Sequence, residues 1–219
     1  MTDSVINDIM TISVIEEEEK MNFDLTNFKK ISDEKQKAVI NAGFLCFGQN
    51  GYKKASVADI ASVAGISKAS LFQYFGNKQN MYLFLYDFAG KEVVGKITEG
   101  TDDFFECAEM YVKSLAEVSK DYPNWFDFLV LQSQRKDFSD IDGILEVADE
   151  LCEFNASTIY DKVDWSKFKD GFDKTTILNI FSWITTGCIT QYSSEMEPDK
   201  IFAEMLKYLE LLKITMYKN

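Results

Sequence analysis

One stretch of twenty residues constrains the fold more than any other part of the chain: residues 56–75, SVADIASVAGISKASLFQYF. Ser56 is a good helix N-cap, and Asp59 three residues later completes a capping box that begins a first helix. Gly65 supplies the positive φ that ends this helix, and Ser67 then caps a second one. The stretch therefore predicts two short helices joined by a tight turn.

The second of these helices has two chemically different sides. We expect Leu71, Phe72 and Phe75 to form its buried face. Four outward residues carry groups suited to base edges and phosphates: Lys68, Ser70, Gln73 and Tyr74. This is the layout of a helix-turn-helix, whose second helix enters the major groove of DNA. An ordinary helical hairpin in a bundle has the same local signals, so these residues alone leave both interpretations open.

The flanking segments favour the first interpretation. Upstream, residues 37–52 form an amphipathic helix that Gly51 closes, and downstream Asn77 caps a helix beginning at Lys78. Together, residues 36–83 resemble the DNA-binding domain of the TetR family of transcriptional regulators. The elements that carry the resemblance are Phe47, Gly51-Tyr52, Ile60-Ala61-x-x-Ala64-Gly65-Ile66-Ser67, Leu71-Phe72-x-Tyr74-Phe75 and Lys78. The remaining three quarters of the chain resemble the family only in length and helical character.

The resemblance implies that the chain binds a palindromic operator in double-stranded DNA. Lys78 resembles the family's phosphate-contacting lysine at the start of the fourth helix. The expected DNA-contacting set is Lys54, Ser56, Lys68, Ser70, Gln73, Tyr74 and Lys78. Phe72 stands where the family often has a tyrosine whose hydroxyl reaches a phosphate. Because phenylalanine lacks that hydroxyl, we expect Phe72 to pack internally and leave it out of the set.

The net charge of −13 looks unsuited to a DNA-binding protein until its distribution is considered. Residues 31–80 carry six lysines against three carboxylates, a net charge of +3, whereas residues 81–219 carry −12. The acidic remainder would be repelled by DNA, which helps to orient the approach of the basic segment. The single arginine, Arg135, lies outside that segment. Base reading therefore cannot use the bidentate contact between arginine and guanine.

Composition and periodicity favour an all-α fold, since the chain has only two prolines. After residue 78 the pattern predicts helices over residues 78–96, 101–119, 125–134, 139–162, 174–193 and 198–217. We divide the chain into an N-terminal extension at residues 1–30, a helix-turn-helix DNA-binding domain at 31–80, and a helical ligand-binding and dimerisation domain at 81–219.

The N-terminal extension lacks the features of a targeting segment. Its apolar part, residues 9–15, is too short to span a membrane and has no cleavage pattern. Met21 lies about one normal lead-in length before the first family-like helix, so one hypothesis is that it is the natural start. We expect Phe23, Leu25 and Phe28 to dock on the helix-turn-helix domain.

The C-terminal domain is rich in aromatic residues, most of which we expect to be core. The family resemblance implies a cavity there for a small apolar or aromatic effector, which releases the protein from its operator. The candidate wall residues are Met110, Trp125, Phe128 and Trp183.

The resemblance also implies a homodimer, formed by the last two helices packing against those of a second copy. Apolar residues three or four apart form one stripe on each helix. The expected interface residues are Ile177, Phe181, Ile184, Met205, Tyr208 and Leu212. A core within one chain would produce the same stripes.

Several classes of site are absent from the sequence. The chain has no histidine, no G-x-G-x-x-G and no P-loop, and its four cysteines are widely spaced. These absences exclude histidine-dependent catalysis and histidine-ligated zinc, and we expect no metal and no cofactor. We therefore expect a cytoplasmic, ligand-responsive repressor and not an enzyme. The alternatives are the same DNA-binding fold controlled by a protein partner, and a helical carrier or enzyme that does not bind DNA.

Overall fold

The computed structural model describes residues 24–97, 100–134, 138–191 and 198–218, and these residues form an all-α fold. Within them, β-structure is limited to one isolated antiparallel bridge between Phe168 and Tyr217. The helices, in chain order, are α1 (Thr26–Lys29), α2 (Asp33–Lys54), α3 (Val57–Val63), α4 (Lys68–Phe75), α5 (Lys78–Gly95), α6 (Phe104–Asp121), α7 (Trp125–Ser133), α8 (Ile144–Tyr160), α9 (Lys174–Thr190) and α10 (Pro198–Met216). Short 3-10 turns at Phe138–Asp140 and Trp165–Lys167 complete the list.

The chain divides into two compact units. The first contains the described residues up to Gly90 together with Tyr122–Leu151, and the second contains Lys91–Asp121 together with the residues after Leu151. Helices α5 and α8 are each divided between the units, α5 after Gly90 and α8 after Leu151. The first unit is larger than the predicted domain of residues 31–80 because α7 packs along α2 within it. The functional division of the chain at residue 80 stays a prediction.

The contact between α2 and α7 is unusually close at Gly48. A Cβ atom on Gly48 would lie 2.9 Å from the backbone nitrogen of Phe128 and 3.0 Å from Cβ of Asp127. Only glycine allows the two backbones to approach this far. The ring of Phe128 then packs against Phe44, with 5.1 Å between the ring centroids. The core of the first unit is thus centred on this pair of helices.

Helix α2 carries a break near its C-terminus that shapes the segment leading into α3. Gly51 has φ of 72° and ψ of 168°, values that are not helical. Helical turns resume for a few residues, and the amide of Ala55 donates to the carbonyl of Gly51 at 3.1 Å. The glycine is required because a side chain would be strained at this positive φ.

The second unit is built on a cluster of aromatic rings beneath the packed helices α6, α9 and α10. The ring of Phe104 lies 5.5 Å from Tyr160 and 5.9 Å from Phe181, measured between centroids. The hydroxyl of Tyr217 accepts a hydrogen bond from the Phe104 amide at 3.1 Å. Burial raises the pKa of the Tyr111 phenol, whose ring packs on Phe181, to about 12.

The predicted helices agree with the observed ones to within a few residues at most ends. The sequence placed the cap of α6 at residues 101–103, and the carboxylate of Asp103 accepts from the amides of Phe105 and Glu106. The segment predicted over residues 139–162 begins later, because Gly143 has φ of 79° and separates the 3-10 turn from α8. A membrane-crossing helix is absent from the part of the chain that the structure describes, since none is long and apolar enough.

The predicted docking of Phe28 is confirmed. Its side chain is 2% exposed and lies in α1, against the first unit. Its ring lies 5.0 Å from Phe75, 5.4 Å from Phe84 and 5.8 Å from Tyr74. Residues 1–23 lie outside the described residues, so the expectations for Met21 and Phe23 are not addressed by the structure.

Candidate nucleic-acid interface

The two short helices predicted from residues 56–75 are α3 and α4, and Ser56, Gly65 and Ser67 mark their ends as the sequence indicated. The Ser56 hydroxyl accepts from the amide of Ala58 at 3.1 Å, which caps α3. Gly65 follows α3 with φ of 67°. The Ser67 hydroxyl accepts from the amide of Ser70 at 3.0 Å and caps α4. The ends of the two helices are therefore set by interactions among residues close in sequence.

The inner side of the hairpin is a small apolar core. Ile60 and Ala61 on α3, and Leu71 and Phe75 on α4, are buried. The ring of Phe28 covers the far end of α4 through its contact with Phe75. Helix α4 is thus held from two directions, by α3 and by α1. This packing determines which of its residues remain available to a partner.

The outer side of α4 presents a mixed polar and aromatic surface. Lys68 and Gln73 are exposed, as predicted, while Ser70 and Tyr74 are half-buried. The Ser70 hydroxyl lies 2.8 Å from that of Ser67, and the Tyr74 ring packs on Phe28. The available surface is therefore centred on Lys68 and Gln73, with the edges of Ser70 and Tyr74 beside it.

Phe72 corrects the sequence analysis, because its side chain is 41% exposed and does not belong to the buried face. The Lys68 ammonium lies 5.7 Å from the centroid of its ring, within the range of a cation–π contact. Each residue advances about 100° around an α-helix. Phe75 shares the face of Leu71 because it is four residues away, whereas Phe72 is turned off that face. The rotation of about 100° between Leu71 and Phe72 is the sequence signal that separates Phe72 from the buried face.

The remaining expected DNA-contacting residues differ in how free they are. Lys54 is exposed at the end of α2, just before the hairpin. Ser56 is half-buried and its oxygen is engaged in capping. The ammonium of Lys78 is directed at backbone carbonyls of its own unit, including that of Tyr52 at 2.8 Å. The seven residues therefore do not form one uniform surface.

The four residues expected to line an effector cavity are not brought together in one unit. Trp125 and Phe128 are fully buried in the core of the first unit, whereas Met110 is half-buried and Trp183 is 61% exposed in the second. A groove of about 390 Å³ lies elsewhere in the second unit. Its wall includes Trp165, Phe168, Lys169, Phe172 and Lys218.

The residues expected at a dimer interface also divide into two sets. Ile177, Phe181 and Met205 are buried in the chain's own core, so they offer no surface to a second copy. Ile184 and Leu212 are half-buried, and Tyr208 is exposed. The apolar surface lies on other sides of the helices, at Trp183 on α9 and at Leu211 and Ile214 on α10. The sequence stripes identified the internal faces because burial in the core produces the stronger apolar pattern.

Two features of the described residues bear on metal binding and thiol chemistry. No group of cysteine and carboxylate side chains within them could hold a metal ion. Burial raises the pKa of the Cys46, Cys107 and Cys188 thiols, which disfavours the reactive thiolate. Cys152 is exposed.

The sequence of the first unit matches a known family. Residues 39–85 match a sequence model described as bacterial regulatory proteins, tetR family. A stretch of 91 residues is 31% identical to the HTH-type transcriptional regulator RutR of Escherichia coli, and covers 41% of this chain and 43% of RutR. The chain therefore aligns with less than half the length of that relative.

Solved structures extend the likeness to most of the chain. A TetR family regulator from Agrobacterium tumefaciens superposes with a TM-score of 0.61 at 16% identity, over 82% of this chain and 98% of the other. The fatty acid degradation regulator FadR from Bacillus halodurans gives a TM-score of 0.54 at 18% identity, over 81% and 96%. At these identities the likeness establishes the fold.

Proposed function

We propose that this chain, which its N-terminal domain identifies as a member of the TetR family of bacterial regulators, is a dimeric transcriptional repressor that an effector releases from DNA. The observation that carries the proposal is the outer face of α4. This helix buries Leu71 and Phe75 and leaves Lys68, Phe72 and Gln73 exposed. A helix that is anchored on one side and carries polar and aromatic side chains on the other suits insertion into the major groove.

The exposed residues of α4 have complementary roles in this proposal. Gln73 can form a bidentate contact with adenine, and the Phe72 ring can contact the methyl group of thymine. Lys68 supplies a positive charge for guanine or phosphate. Since no arginine lies in the helix-turn-helix segment, reading relies on amide and apolar contacts. We therefore propose an operator with A·T pairs opposite Phe72 and Gln73.

Phosphate contacts complete the interface. We propose that Lys54, exposed at the end of α2, is one of them. The accessible parts of the half-buried Ser56, Ser70 and Tyr74 side chains supply the others. Each contact of this kind adds affinity without sequence information and makes binding dependent on salt.

The proposed dimer uses the exposed apolar surface of the last two helices. Trp183 on α9, and Tyr208, Leu211 and Ile214 on α10, are large apolar side chains exposed in the single chain. Burying such side chains contributes about 25 cal/mol per Å² of apolar surface. To bind the two half-sites of a palindrome, the dimer must hold its two α4 helices about 34 Å apart, one turn of DNA.

Effector control is proposed as a population shift between dimers with different separations of the two α4 helices. We propose a small apolar or aromatic effector, with Met110 the half-buried member of the four residues considered for its wall. The protein would act in the cytoplasm, where DNA and metabolites meet. A thermal-shift screen of such compounds tests this part directly, since a ligand that binds the folded state raises the unfolding temperature.

The test of DNA binding begins with selection of a duplex from a randomised 30-base-pair library. Fluorescence anisotropy then measures affinity for the selected duplex and for a random one across a range of salt. We expect tight, salt-sensitive and sequence-dependent binding by the wild type, and loss of the preference in Phe72→Ala. Lys207→Ala, which removes an exposed lysine from the second unit, serves as the control. Equal affinity for both duplexes by the wild type would reject the proposal.

The dimer is tested separately by light scattering coupled to gel filtration. Ile214→Asp places a charge in the most exposed of the apolar side chains, at 67%, and is expected to give a monomer with weakened operator binding. Thr215→Asp places the same charge on the exposed neighbouring residue and controls for the charge alone. A wild-type monomer that still binds the selected palindrome would contradict the dimeric part of the proposal.

A further inference from the structure

The ammonium of Lys78 is surrounded by backbone carbonyls at the end of α2. Its Nζ atom donates to the carbonyls of Tyr52 at 2.8 Å and Ala55 at 3.3 Å, and lies 3.5 Å from that of Lys53. It also lies 4.4 Å from the centroid of the Tyr52 ring. An ammonium has three protons to donate, so one is available for each of these three carbonyls.

These carbonyls need a donor because of the way α2 ends. The last carbonyls of an α-helix have no partner in the helix and carry the negative end of its dipole. The break at Gly51 leaves one short turn before α3 begins, and the amide of Ala55 is already used by the carbonyl of Gly51. Lys78 supplies both hydrogen-bond donors and a positive charge at this point.

The position of Lys78 in the chain gives these bonds a second consequence. The hairpin of α3 and α4 begins at Ser56, directly after Ala55, and ends at Gly76, two residues before Lys78. The bonds of one side chain therefore join the two chain ends between which the hairpin is held. Gly76 has φ of 74°, which turns the chain sharply enough for Lys78 to reach back.

We infer that Lys78 is a positioning residue that closes the base of the helix-turn-helix and sets the angle of α4, and that it is not a phosphate contact. The role in DNA reading rests on the proposed function, whereas the carbonyl bonds are a property of the free protein. A phosphate that bound the ammonium would compete with these carbonyls, and a displaced carbonyl would lose its partner.

The free protein provides the first test, which needs no DNA. In ¹⁵N-detected NMR, we expect the Lys78 ammonium to exchange its protons more slowly than that of Lys54, which is exposed. Lys78→Met keeps an unbranched side chain but removes the donors, and is expected to lower the unfolding temperature by about 3–6 °C, against no change in Lys54→Met. Exchange as fast as that of Lys54, together with an unchanged unfolding temperature, would overturn the inference.

The second test distinguishes a positioning role from phosphate binding. It measures DNA affinity of Lys78→Met and Lys54→Met at a temperature well below the unfolding temperature of either variant. We expect Lys78→Met to lose about tenfold in affinity for the selected duplex and little for a random duplex, with an unchanged salt slope. Lys54→Met, as a phosphate contact, is expected to lose affinity for both and to reduce the slope by about 1.8, because a dimer loses two contacts.

Each other outcome has a defined meaning. A uniform loss with a reduced slope in Lys78→Met would assign it to phosphate and overturn the inference, and so would unchanged binding to both duplexes. If the wild type binds neither duplex, the proposed function fails, and the ammonium exchange and unfolding temperature alone decide whether Lys78 closes the hairpin.

Discussion

Replacing Phe28 by alanine tests how α4 is held in place. The ring is 2% exposed and contacts three aromatic rings, including Phe75 on α4 and Phe84 on α5. Removing a buried phenylalanine typically costs about 3–5 kcal/mol. Helix α1 has four residues and no side-chain cap, so without the ring little would keep it attached. Detachment would relieve part of the cavity, and we therefore expect a loss of about 3 kcal/mol in the free energy of unfolding.

The assay is urea unfolding followed by circular dichroism and by intrinsic fluorescence. Phe72→Ala is the matched control, because it removes the same ring from the exposed side of the same helix that Phe28 covers. We expect the control to change the free energy of unfolding by less than about 0.5 kcal/mol. A loss below about 1 kcal/mol in Phe28→Ala, or an equal loss in the two variants, would refute the role assigned to α1.

Three further outcomes follow from the side chains described above. Gln73→Ala is expected to cost about 1–3 kcal/mol against one base pair of the selected operator while leaving binding to random DNA unchanged, as measured with single-base operator variants. Desolvation of the half-buried Tyr111 raises the pKa of its phenol to about 12, whereas the unfolded chain releases that proton near pH 10. The free energy of unfolding should therefore fall between about pH 10 and 12, and less steeply in Tyr111→Phe, as followed by urea unfolding at each pH. Ellman's reagent should label Cys152 rapidly and the three buried cysteines only on unfolding; rapid labelling of all four thiols would show that the cores are open.

The hairpin could be predicted from sequence because its determinants are local. Ser56, Gly65 and Ser67 act on backbone groups within a few residues, so a short window contains both partners of each interaction. Phe28 was also expected to dock, since an apolar residue in a lead-in segment has one nearby surface to cover. Helix ends followed the same logic, with glycine and cap residues marking them.

The features that could not be predicted depend on partners distant in sequence. Lys78 reaches carbonyls more than twenty residues away, and nothing around it in the sequence identifies them. Which side of α9 and α10 is buried depends on the packing of the whole second unit. The apolar stripes through Ile177 and Met205 were real, but they marked the inner faces and not the surface at Trp183 and Ile214.

The absence of a side chain at Gly48 makes the contact between α2 and α7 rigid. Side chains between two helices can accommodate a small shift by changing rotamers. At this contact no side chain separates the backbones of residues 48 and 128. A displacement of α7 would therefore displace α2 as well, since a close-packed contact transmits strain. Gly48→Ala would insert a methyl group into this contact and force the backbones of α2 and α7 apart.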